Sequence, residues 1–125
     1  MASNSDIITR FCNTWESRDI DRLVEFFAED AVYHNIPMDP PSVGTEQIRA
    51  TIEMFMTAPD AVSFEIHNQA ETADGVVLNE RTDTFKLGDH TITLRIMGIF
   101  ELAEGKITAW RDYFDMNQYL QQMPQ

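Results

Sequence analysis

Two carboxylates and one guanidinium stand out among the residues that could carry chemistry. In "ERTDTF", Glu80 to Phe85, Arg81 and Asp83 are separated by one residue. A β-strand sends alternate side chains to the same side. Val77, Asn79, Arg81, Asp83 and Phe85 therefore share a face that begins and ends apolar. In "ITAWRDYFDM" the same alternation groups Thr108, Trp110, Asp112 and Phe114, so Asp112 lies between two aromatic rings. A carboxylate on an apolar face needs a partner. The planar fork of Arg81 bridges two carboxylates at once, which predicts a buried Asp83–Arg81–Asp112 chain. On a third strand Tyr33 and Asn35 share a face and offer two more hydrogen-bonding groups. Carboxyl groups joined in this way can supply a general base and a general acid together. The competing reading makes them the outward polar face of a half-exposed sheet. Burial separates the two.

Other familiar equipment is missing from the sequence. It has no G-x-S-x-G elbow, no G-x-G-x-x-G and no P-loop. His34, His67 and His90 lie far apart without H-E-x-x-H spacing, so no zinc or other metal site is expected. His34 points away from Tyr33 and Asn35 and is given no role. No Ser/His or Cys/His nucleophile follows from spacing. Cys12 is the single cysteine. It reads as a small apolar filler on a helix, and the lack of a possible internal disulfide suits a reducing, cytoplasmic setting.

These residues need a scaffold, and the 125-residue chain supplies one domain's worth, taken as 1–125. Residues 6–17 read as a helix capped by Ser5, with Ile8, Phe11, Cys12 and Trp15 inward. A shorter helix follows, capped by Asp19, with Ile20, Leu23, Val24 and Phe27 inward. "AVYHNI" is a brief strand, and the prolines of "PMDPPSVG" make a loop. Thr45 is the expected cap of a third helix carrying Ile48, Ile52, Phe55 and Met56. From Ala61 onward, four alternating runs joined by short Gly-containing turns read as antiparallel sheet. The tail "NQYLQQMPQ" is a short helix or a frayed end. The pattern predicts an α+β fold: a curved, mostly antiparallel sheet wrapped by three to four helices into a cone with one deep pocket.

The net charge of −12, from 21 acidic and 9 basic residues, opposes nucleic acids and anionic membranes. A neutral or cationic small ligand remains. No apolar run is long enough to cross a membrane. The start "MASNSDIITR" does not read as a secretion signal.

The segments "FAEDAVYHNIP", "NERTDTF" and "MGIFELAEGKITAWRDYFD" together resemble the limonene-1,2-epoxide hydrolase family, from about the second helix onward. The G-x-I-x-x-W-R-x-Y-F-D ending is shared with polyketide cyclases and ketosteroid isomerases of the nuclear-transport-factor-2-like fold, so by itself it implies fold rather than reaction. The resemblance implies five polar site residues, Tyr33, Asn35, Arg81, Asp83 and Asp112. It also implies one-step hydrolysis of an epoxide to a vicinal diol, and homodimers. On this reading Asp112 is the base, with its water held by Tyr33 and Asn35. Asp83 is the acid that protonates the ring oxygen. Arg81 orients both carboxyls and lets the proton return between them, the pair sharing one proton near neutral pH. No cofactor is called for, because protonation assists ring opening.

The expected substrate wall is Met54, Phe55, Phe85, Leu94, Ile96, Trp110 and Phe114, matching a neutral, lipophilic epoxide of terpene or cycloalkene size. The outer sheet face, with Met97 and Ile99, is the expected dimer surface. Two alternatives accompany this reading. One is an isomerase or cyclase that abstracts a proton beside the carbonyl of a polycyclic ketone. The other is a non-catalytic small-molecule-binding module.

Overall fold

The computed structural model describes residues 2–123. The sequence begins as helix α1, Asn4–Thr14, followed by a tight helical turn over Trp15–Ser17. Its cap is Ser3 rather than the expected Ser5. Ser3 Oγ accepts from the Asp6 N–H while the Asp6 carboxylate accepts from the Ser3 N–H, a reciprocal capping box. Two serines two residues apart are equally good caps by type, and only Ser3 has an acid three residues on. Asp19 caps α2, Ile20–Glu25, as expected.

Phe27, expected on the inner face of α2, instead opens strand β1, Phe27–Asn35. The strand starts earlier than its alternation indicates because its register shifts between Phe27 and Val32, and such a shift breaks the period of two. The proline loop contains a two-residue strand, β2, Ser42–Val43. Helix α3, Gly44–Thr57, is not capped by Thr45; the Gln47 side chain accepts from the Val43 N–H instead.

The remaining strands follow the sequence pattern closely. They are β3, Ala61–Glu71; β4, Val77–Leu87; β5, His90–Ala103; and β6, Lys106–Tyr113. The turn between β5 and β6 places Glu104 and Gly105 at φ of 52° and 79°. Two successive positive φ values give the turn the twist that antiparallel strands need. The tail forms α4, Met116–Gln122, capped by the Asp115 side chain.

The six strands make one curved, open sheet in the order β2-β1-β6-β5-β4-β3. Among the described residues only β1 and β6 run parallel. The helices cover the concave face, so the fold is α+β. The core between them is aromatic: Phe11 meets Trp110 edge-on at 5.1 Å, and Trp15 stacks on Phe64 at 4.3 Å. Register aligns Asn35 with Asp112, Asp112 with Gly98, Gly98 with Asn79, and Asn79 with Gln69. One row across five strands thus puts Asn35, Asp112, Asn79 and Gln69 in line, with Gly98 between Asp112 and Asn79.

Candidate active site

Arg81 reaches from β4 across β5 to β6. Strands are spaced about 4.8 Å apart, so only a long side chain spans that gap, and only if β5 leaves room. Gly98 leaves that room: a Cβ there would lie 2.5 Å from Arg81 Nη1 and 2.7 Å from Asp112 Oδ1. Arg81 is 0% exposed. Its Nε donates to Asp83 Oδ1 at 3.0 Å and its Nη2 to Asp83 Oδ2 at 2.9 Å. On the other side Nη1 donates to Asp112 Oδ1 at 3.2 Å and Nη2 to Asp112 Oδ2 at 2.7 Å. Both carboxyls therefore grip one guanidinium in two-point fashion. The cation also lies 4.9 Å over the Phe64 ring.

Asp112 carries a further bond, from Trp110 Nε1 to Oδ1 at 2.7 Å. Oδ1 thus accepts twice and Oδ2 once, which leaves Oδ2 with a lone pair for another donor. Tyr33 stacks on Trp110 at 4.0 Å and donates its hydroxyl to Asn35 Oδ1 at 3.3 Å. The five polar residues expected from the sequence are thereby brought together on the concave face.

The charges follow from burial and pairing. Burial pushes Asp83 up to about 6, against the opposing pull of Arg81. Burial also lifts the Tyr33 phenol well above its usual range, helped by the Asp112 charge, so it remains a donor. Burial alone would lower Arg81, but the two carboxylates hold it firmly cationic. Cys12 is pushed up to about 12 by burial, which makes it an inert thiol.

Above this cluster opens a cavity of about 260 Å³. Tyr33, Asn35, Asp83 and Asp112 form its polar floor. Phe55, Phe85, Leu94, Ile96 and Phe114 line it as expected, and Met54 borders its mouth although 73% exposed. Trp110 does not line it. That residue is fully buried beneath Tyr33 and Asp112, as a support for the floor and not as substrate wall. Strand alternation gives the side of the sheet but not the depth below the mouth.

Sequence reasoning missed Met38, Phe64, Leu87, Ile92, Tyr119 and Met123, all of which border the cavity. Phe64 and Ile92 were detectable, because each continues an inward alternation. Tyr119 and Met123 were not, because the tail has no pattern that says where α4 docks. The three histidines lie outside the cluster: His34 bonds Met38 O and Asp39, His67 bonds Thr82, and His90 bonds Gln122 O.

The family model of the limonene-1,2-epoxide hydrolase catalytic domain matches residues 2–125. Epoxide hydrolase EphG of Mycobacterium tuberculosis is 33% identical over 110 residues, 87% of this chain and 71% of that relative. The structure of an M. tuberculosis LEH-like epoxide hydrolase aligns with a TM-score of 0.78 at 28% identity, covering 94% of this chain and 86% of the other. SalBIII, an epoxide hydrolase/cyclase-like enzyme of pyran ring formation in the polyether salinomycin, aligns at a TM-score of 0.82 and 21% identity, covering 92% of each chain. At that identity the likeness speaks for the fold alone.

Proposed function

Because the chain belongs to the limonene-1,2-epoxide hydrolase family, we propose that it adds water to a small lipophilic epoxide in one step, giving a vicinal diol. The observation that carries this reading is the double clasp of Asp83 and Asp112 on Arg81 at the floor of an apolar cavity. Opening an epoxide needs a proton removed from water and a proton given to the ring oxygen. Asp112 Oδ2, with its free lone pair, takes the water proton. The Tyr33 hydroxyl has given its hydrogen to Asn35, so its oxygen accepts the water's other hydrogen. Asn35 Nδ2 donates to one lone pair of the water and leaves the second to attack carbon.

As the C–O bond of the ring breaks, the oxygen takes the proton of Asp83. The raised Asp83 carboxyl, at about 6, keeps that proton available near neutral pH. Turnover leaves the proton on Asp112. Its return to Asp83 restores the starting state, with Arg81 holding both groups in place. The pair's total charge does not change during the cycle, so no charge is created or lost in a buried site.

The cavity of about 260 Å³ lies below the range of roughly 300–1,000 Å³ common for drug-sized ligands. That favours cyclohexene oxide to limonene oxide over larger substrates. The burial of Arg81 and Asp83, with Asp83 bordering the cavity, supports an enzyme over a carrier. We further propose a homodimer through the outer sheet face, where Met97 and Tyr113 are cross-strand neighbours, 45% and 44% exposed.

The test offers the protein cyclohexene oxide, limonene oxide and a cyclic enone side by side, with Asp112→Asn as control. Diol from the epoxides, lost in the folded variant, supports the proposal. Enone isomerisation without diol would move the assignment to proton abstraction at carbon.

A further inference from the structure

The mechanism above leaves one N–H of Arg81 outside the two carboxyls. A guanidinium has five N–H donors in one rigid plane. Four go to Asp83 and Asp112, and the fifth, on Nη1, donates to Asn79 Oδ1 at 3.1 Å. Asn79 is 1% exposed and does not line the cavity, so it touches no substrate. We propose that Asn79 is a positioning residue whose amide, held in one orientation by Gln69 and helix α1, fixes the plane of the guanidinium that carries both carboxyls.

The orientation is imposed from outside the site. The two hydrogens of Gln69 Nε2 are shared among three acceptors on α1, the Ser5 carbonyl at 3.1 Å, Ser5 Oγ at 2.8 Å and Thr9 Oγ1 at 2.9 Å. A carbonyl only accepts, so Gln69 must turn its NH2 toward the helix and its Oε1 away. That Oε1 accepts from Asn79 Nδ2 at 3.1 Å. With its NH2 so engaged, Asn79 can present only Oδ1 to Arg81. A flipped amide would set N–H against N–H at Arg81 and oxygen against oxygen at Gln69. The polarity of one backbone carbonyl on α1 is thereby passed through two amides to the reacting carboxyls.

The relay follows a row of register partners, Gln69 opposite Asn79 and Asn79 opposite Gly98. An apolar residue would fill position 79 without needing any partner, so the amide is explained by what it does to Arg81. The adjacent Cys12 thiol, 3.8 Å from Asn79 Nδ2, adds only a weak contact.

The kinetic arm of the test rests on the epoxide reading, while a spectroscopic arm does not. Asn79→Leu, Asn79→Asp and Gln69→Leu are compared with wild type for kcat and KM on cyclohexene oxide. In parallel, ¹⁵N NMR reads the Arg81 Nη resonances, which stay separate while the plane is held and merge when it rotates. Asn79→Leu is expected to lose ~10²-fold in kcat with little change in KM, and to merge the Nη signals. Gln69→Leu, remote from the cavity, is expected to lose less, on the order of 10-fold. Asn79→Asp keeps the acceptor for Arg81 but loses the N–H that Gln69 Oε1 receives, so it should keep resolved Nη signals and a kcat between those of wild type and Asn79→Leu. Its third carboxylate adds negative charge beside Arg81 and Cys12, next to the Asp83 and Asp112 carboxyls that Arg81 holds, so its alkaline decline in rate should move to higher pH.

Wild-type kcat and unchanged Nη signals in folded Asn79→Leu would overturn the proposal, as would an Asn79→Asp variant as impaired as Asn79→Leu. If Asn79→Leu fails to fold, the same result in Gln69→Leu overturns it. If wild type turns over no epoxide, the functional reading falls, and the Nη signals alone decide the positioning role.

Discussion

Gly98→Ala tests the account at its tightest point. The added Cβ would sit 2.5 Å from Arg81 Nη1, 2.7 Å from Asp112 Oδ1 and 3.1 Å from Asn79 Oδ1. A normal contact needs about 3.4 Å or more, so Nη1 must retreat by about 0.9 Å. Arg81 Nη1 donates to both of the crowded oxygens, so none of the three atoms can move alone without breaking a bond in the clasp. A displacement of about 1 Å in a positioned group costs ~10²-fold in rate, and that is the expected loss in kcat. The apolar wall is untouched, so KM should stay near wild type. Overpacking costs roughly 1–3 kcal/mol, partly offset by the reduced freedom of the unfolded chain. Gly88→Ala is the matched control: nothing lies within 4 Å of its Cβ, and its φ of +62° adds strain without touching the site. Both variants should lose a few degrees in Tm, and only Gly98→Ala should lose turnover. Steady-state kinetics and thermal melts on the pair decide it. Wild-type kcat in Gly98→Ala, or equal kinetic loss in Gly88→Ala, would refute the argument.

Three further outcomes are expected. The acid form of Asp83, at about 6, is required, so kcat/KM should fall as pH rises above that value; a rate that climbs steadily into strong alkali would contradict this. Asp83→Asn should abolish turnover and remove the pH dependence of stability that this carboxyl supplies. Burial lifts the folded-state carboxyl from 3.8 to about 6, so this group's contribution is fully present below about 4 and is lost as pH rises to about 6. That lift is worth roughly 3 kcal/mol at neutral pH as an order of magnitude, and melts of both proteins from pH 4 to 7 should show the wild-type slope missing from the variant. Finally, the proposed homodimer predicts that wild type scatters light as a dimer and Met97→Glu as a monomer, because the variant puts a charge on the exposed Met97–Tyr113 patch.

Much of the site was legible because strands broadcast their faces. The run from Val77 to Thr84 alternates buried and half-buried residues without interruption, so Arg81 and Asp83 had to lie on one side. Asp112 between Trp110 and Phe114 gave the same signal on β6. Three things were hidden for physical reasons. Gly98 matters only because Arg81 crosses above it, and that relation spans three strands with no trace in local spacing. Asn79 was visible on the face, but its role depends on Gln69, a residue of a neighbouring strand. Trp110 has the parity of a wall residue, yet depth along the strand puts it beneath Tyr33, whereas Phe114, nearer the mouth, lines the cavity. The helix starts were misjudged where two capping residues competed, at Ser3 and Ser5, and at α3, which begins at Gly44 behind Val43 with no side-chain cap.

The most direct test of the central claim is a single turnover in H₂¹⁸O, with enzyme in excess over cyclohexene oxide and the first diol analysed by mass spectrometry. Direct attack by a water held against Asp112 predicts one ¹⁸O in every diol molecule of that first turnover. Unlabelled first-turnover diol, with ¹⁸O later found in an aspartate carboxyl, would mean that a carboxylate attacks carbon itself and would contradict the account.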